Sequence, residues 1–82
     1  MRTFEKWNEL ANKNCMVIID HELFDVQQYE CEALQVINDE ERIGVVIKDR
    51  ELFINKQDVK NFIAYDDGYM VKDDMTTIII CK

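Results

Sequence analysis

The apolar positions change period once along the chain. Phe4, Trp7, Leu10 and Ala11 recur at helical spacing, with Glu5, Lys6, Glu9 and Lys13 off the stripe, which predicts a short helix over about residues 3–13. Thr3 is its candidate N-cap, and Asn12 to Asn14 ends it. So short a helix is marginal alone, so the stripe must dock, with Trp7 plugging one face or end of a β core. From Cys15 the pattern is that of strands. Residues 15–19 form a continuous apolar run, as expected of a strand covered on both faces. His21 to Gln28 reads as a polar connection with Leu23, Phe24 and Val26 embedded in it. Tyr29 to Ile37 alternates with period two and reads as one strand, with Glu30 and Glu32 on the same wet face.

Asn38 to Glu41 is a turn cluster, and Ile43, Val45 and Ile47 line the next strand. Gly44, opposite them, marks either a bulge or a close backbone approach. Lys48 to Glu51 reverses the chain into Leu52-Phe53-Ile54, although neither central residue is the glycine that a primed turn favours. Lys56 to Val59 suits one 3₁₀ turn, and Asn61 to Tyr65 a further strand. Asp66-Asp67-Gly68 is the clearest hairpin signal, because Asp-Gly suits positive φ. Tyr69 to Val71 follows, then Asp73-Asp74, then the strongly β-favouring Met75 to Cys81.

These elements predict an α+β, mainly β fold in one domain spanning residues 1–82. A short N-terminal helix precedes an antiparallel meander over about 15–81, curled into a small barrel or a half-open sheet. Residues 44–62 resemble the strand, tight turn, strand, 3₁₀ turn, strand passage of SH3-like barrels, and a helix ahead of five strands is similar to Sm-like barrels. The resemblance implies a shape and no activity. Asn55 stands where an SH3 peptide groove has its proline, and the Sm RNA-binding loops have no counterpart.

Composition narrows function by exclusion. The 82 residues include 17 acids and 10 bases, a net charge of −7, with 48% hydrophobic residues, two glycines and no proline. That is too apolar for a disordered segment and too acidic for a domain that neutralises phosphates, so no direct nucleic-acid binding is expected. The apolar runs are too short for a secretory signal or a membrane span, so the expected location is cytoplasmic, with no membrane partner. Cys15, Cys31 and Cys81, an odd set without C-x-x-C spacing, read as small hydrophobes in a reducing compartment.

Two glycines cannot build a phosphate loop, and a chain without serine cannot carry a serine triad. His21 has no spacing that brings a cysteine to it. Asp20, His21, Glu22 and Asp25 are the one candidate ligand group, but consecutive strand residues point to opposite faces, so no metal site is assigned. No catalytic residue and no cofactor is expected. The chain reads as a non-enzyme.

The acids matter more as a group. Residues 28–58 hold eight acids and four bases, a balance of −4, whereas residues 60–82 hold four acids and three bases. Glu30, Glu32, Asp39, Glu40, Glu41, Asp66, Asp67, Asp73 and Asp74, with Tyr65 and Tyr69 as aromatic anchors, are the candidate partner-binding residues. They suggest a protein-binding module that docks on a basic protein, such as a nucleic-acid enzyme, by electrostatic attraction. Small inhibitors and neutralising proteins of the immunity, antitoxin or phage anti-defence kind belong to that class. The rival expectations are a homodimer paired through the C-terminal strand and a small-ligand or metal-binding protein.

Overall fold

A computed structural model describes residues 4–82, so the Thr3 cap lies outside the described residues. A 3₁₀ helix, Glu5–Leu10, is followed by β1 (Cys15–His21), β2 (Gln27–Cys31), β3 (Gln35–Asn38), β4 (Arg42–Ile47) and β5 (Arg50–Asn55). A second 3₁₀ turn, Lys56–Asp58, leads to β6 (Asn61–Tyr65), β7 (Gly68–Lys72) and β8 (Thr76–Cys81). The fold is mainly β, and the helical content of the described residues is 3₁₀ alone. The first segment is shorter than the expected 3–13 helix. Phe4, Trp7 and Leu10 stand three apart, the spacing at which 3₁₀ side chains eclipse, and Asn12 at φ 64° ends the segment. No helix among the described residues is long and apolar enough to cross a membrane.

The strands form two antiparallel sheets, not one meander and not a closed barrel. One has the order β2-β1-β8-β7-β6 and the other β3-β4-β5. The last strand thus lies in mid-sheet. β8 pairs with β1 from Met16↔Cys81 to His21↔Thr76 and with β7 from Gly68↔Cys81 to Lys72↔Thr77. The core lies between the sheets. Cys15, Val17, Tyr69, Val71, Ile78 and Ile80 meet Ile43, Val45, Ile47 and Ile54.

Trp7 and Leu10 are fully buried in that core. The Trp7 indole N–H donates to the Gly44 carbonyl at 2.9 Å, and its ring lies 6.1 Å from Phe62 and 6.4 Å from Tyr69. Trp7 therefore plays the expected plugging role. A Cβ on Gly44 would overlap the Leu52 carbonyl oxygen and lie 2.6 Å from Phe53 Cα. Gly44 thus marks a close approach, and the β4–β5 register runs through it without a bulge.

Three local expectations change. The Tyr29–Ile37 strand is two strands, because Ala33 adopts φ 52° and Leu34 turns aside to exchange backbone hydrogen bonds with Asn12 and Lys13. Glu32 therefore lies in the bend after β2 and does not share a strand face with Glu30. The β4–β5 turn is the primed one, with Lys48 at φ 52° and Asp49 at φ 65°. Gly68 has no positive φ. It is needed because a Cβ there would overlap the Ile80 carbonyl.

The left-handed pair at the β4–β5 turn carries strain that Asn-Gly relieves. Lys48→Asn with Asp49→Gly raises stability by roughly 1 kcal/mol in urea unfolding. Gly44→Ala lowers it by roughly 2 kcal/mol or more in the same assay, because the sheet backbone must move.

Candidate functional site

The candidate residues do not form one surface. The β6–β7 tip, with Tyr65, Asp66 and Asp67, lies at the same end of the five-stranded sheet as Glu30 and Glu32, because β8 ends there and β1 begins. Asp73 and Asp74 lie in the β7–β8 turn at the opposite end. Asp39, Glu40 and Glu41 belong to the β3–β4 turn of the other sheet.

Several of these residues are occupied in holding the fold. Asp39 accepts backbone N–H bonds from Glu41 at 2.9 Å and Arg42 at 2.8 Å, and its carboxylate pairs with the Arg42 guanidinium at 2.9 Å. Those bonds hold its carboxyl below the usual range, the Glu41 N–H first. Arg42 also reaches Glu51 of β5 at 3.4 Å, so its one charge is shared between Asp39 and Glu51. Asp73 Oδ1 likewise accepts from the N–H groups of Met75 and Thr76.

Tyr69 is not a surface anchor. It is 5% exposed, and its hydroxyl donates to Glu9 Oε2 at 2.7 Å, tying the 3₁₀ helix to β7. It pairs with Ala64, so it faces the core while Tyr65, 50% exposed, faces away. Period-two alternation places the neighbours on opposite faces but does not say which is inward.

The structure brings forward a site that the acid count passed over. Leu23, Phe24 and Val26 in the β1–β2 loop are 71%, 69% and 60% exposed, the most exposed large apolar side chains among the described residues. His21 holds the loop. Its carbonyl accepts the Phe24 N–H, its Nδ1 accepts the Leu23 N–H, and its ring lies 5.1 Å from that of Phe24. The Glu22 N–H donates to the Met75 carbonyl at 2.8 Å, drawing the β7–β8 turn and the exposed Met75 to this end. Asp20, Glu22 and Asp25 interleave with the apolar residues, and Asp74 adjoins Met75; all four are exposed. A signal existed in the sequence: residues 14–41 contain eight acids and no Lys or Arg. An aperiodic apolar triplet inside such a run is a loop that has no core to enter.

The five-stranded sheet also has an apolar outer face. Register puts Met16, Ile18, Ile79, Met70, Ile63 and Tyr65 on the side away from the core. The expectation that the 15–19 strand is covered on both faces holds within this chain for one face only.

No group of three or more His, Cys, Asp or Glu side chains able to hold a metal occurs among the described residues. Cys15 and Cys31, distant in sequence, stand directly opposite on β1 and β2, and both are free thiols. Burial pushes both thiols up, and for Cys15 the neighbouring Cys31 adds to it, so both are weak nucleophiles at neutral pH. Tyr69 is raised by its hydrogen bond to Glu9, then by burial. Comparison of the chain with protein-family models, curated proteins and solved structures finds no match.

These shifts make stability depend on pH. Cys15, Cys31 and Tyr69 ionise less readily when folded, so their contribution is whole below about pH 9 and is lost as pH rises through their folded values. Asp39 ionises more readily when folded, so its contribution is present above about pH 4 and is lost below it. Urea midpoints fall on both sides of this window. Tyr69→Phe flattens only the alkaline side, and Asp39→Asn only the acidic side.

Proposed function

We propose that this chain is a non-enzymatic protein-binding module that docks on a basic protein surface, in the class of small inhibitors and neutralising proteins. Immunity proteins, antitoxins and phage anti-defence proteins are the kinds it fits, and a nucleic-acid enzyme is the kind of partner. The observation that carries this reading is the exposed Leu23-Phe24-Val26 loop set among Asp20, Glu22 and Asp25. An apolar anchor ringed by charges of one sign has the anatomy of a docking surface, with a desolvated centre that supplies affinity and a charged rim that steers approach. The net charge of −7 acts in the same direction over longer range. This reading adds the β1–β2 loop to the acidic turns and centres the site there.

The rival homodimer through the C-terminal strand meets an obstacle, since β1 and β7 occupy both edges of β8.

The test is affinity capture from the native host at low salt and at about 1 M salt, where the Debye length falls to ~3 Å. The wild-type chain captures a basic protein at low salt and loses it at high salt. Leu23→Ala with Phe24→Ala keeps the fold by circular dichroism and weakens that complex by about 2 kcal/mol or more. Recovery of no basic protein, or equal recovery by the double variant, contradicts the proposal.

A further inference from the structure

The two sheets do not close into a barrel, so the space between them opens where the core ends. Val17 and Val45 lie in the core, and their register partners are Tyr29 and Leu52. One step of period two further along the same inner faces come Ile19 and Gln27 on one sheet, and Ile47 and Arg50 on the other. There the sheets leave a cleft of about 370 Å³, a size within the range of small-ligand sites. Ile47 is buried, and Ile19, Tyr29 and Leu52 are half-buried against the core, so the floor is apolar.

The rim is basic. The inward alternation of Ile54 and Leu52 along β5 calls for an apolar residue at position 50, and Arg50 stands there exposed. The Lys48 ammonium reaches over the Tyr29 ring, 5.7 Å from its centre, and the Tyr29 hydroxyl donates to Gln27 Oε1 on the same wall. Neither Lys48 nor Arg50 is ion-paired among the described residues. No carboxylate lines this cleft, in a chain with 17 acids and 10 bases. Asp49, between the two cations in sequence, lines a neighbouring groove instead. Elsewhere bases share their grooves with acids, Lys56 with Glu40 and Glu41, and Arg42 with Asp39 and Glu51. The strained left-handed backbone of Lys48 is thus kept where it delivers an ammonium group to the cleft.

We propose that this cleft binds a small amphiphilic carboxylate. The apolar tail lies against Ile19, Ile47 and Leu52, and the carboxylate meets the Arg50 guanidinium and the Lys48 ammonium. Arginine offers the planar fork that takes a carboxylate through two parallel N–H bonds. A neutral ligand of the same shape leaves both cations without a partner, and a cationic one is repelled. The site uses none of the Leu23, Phe24 and Val26 side chains, so the inference does not rest on the docking proposal.

The test is a nuclear magnetic resonance titration of the full chain with octanoate, and with octanol as its uncharged counterpart. Octanoate moves the amide signals of Ile19, Gln27, Ile47, Lys48, Arg50 and Leu52 together, with half-saturation at about 1 mM. Octanol binds about tenfold more weakly. Arg50→Ala weakens octanoate about tenfold and leaves octanol unchanged. Lys48→Asn with Asp49→Gly, the pair that relieves the turn and raises stability, weakens octanoate about fivefold, so its loss of binding is not a loss of fold. The proposal is overturned by the absence of a saturable response at these residues by about 10 mM octanoate. It is equally overturned by octanol binding as tightly as octanoate, or by an Arg50→Ala chain that binds octanoate as the wild type does.

Discussion

Six residue pairs, from Met16↔Cys81 to His21↔Thr76, join the first strand to the last, and the rest of the molecule is arranged by that contact. It inserts β8 between β1 and β7, so that Ile78 and Ile80 lie beside Val17 and Val71 in the middle of the core-facing surface. Closing a loop as long as residues 22–75 costs chain entropy, which local turns alone do not repay. Burial of Ile78, Ile80 and Val17 at near-zero exposure offsets it. Once β1 and β8 are joined, the hairpins β1–β2 and β6–β7 occupy the two flanks. The β3-β4-β5 sheet then covers the inner face, with Trp7 filling the space beside Gly44.

The same contact decides which surfaces remain for function. It removes the most β-prone strand from the edge and leaves β6 and β2 there. It also sets the β1–β2 loop beside the β7–β8 turn, through the Glu22 to Met75 bond. That juxtaposition brings the exposed Leu23, Phe24 and Val26 to one acidic end together with Met75. The exposed apolar loop and the identity of the edge strands are thus consequences of one topological choice.

Strand positions were largely legible in the sequence, and their partners were not. Alternation at Ile43, Val45 and Ile47 marks β4, and the apolar run at residues 15–19 and the β-favouring run at 75–81 mark β1 and β8. Nothing in either run says that they meet, because pairing of distant strands is set by packing and not by local pattern. The shape of the first helix was present in the three-residue spacing of Phe4, Trp7 and Leu10. The break at Ala33 was hidden, because alanine carries no turn preference and its left-handed backbone is imposed by the bonds of Leu34 to Asn12 and Lys13. Of the candidate site, the exposed acids of the turns were legible as turn chemistry. Tyr69 was misjudged because its partner, Glu9, lies sixty residues away in sequence. The β1–β2 loop was legible only as a charge-biased run, since exposure depends on where the core lies.

The most direct test of this account is amide hydrogen exchange along β8, measured residue by residue at low chain concentration. A strand paired on both sides protects every amide, whereas an edge strand protects alternate ones. The account predicts slow exchange at each of Thr77, Ile78, Ile79, Ile80 and Cys81. Alternating fast and slow exchange along those five residues would place β8 at an edge and contradict the fold on which the proposed docking surface rests.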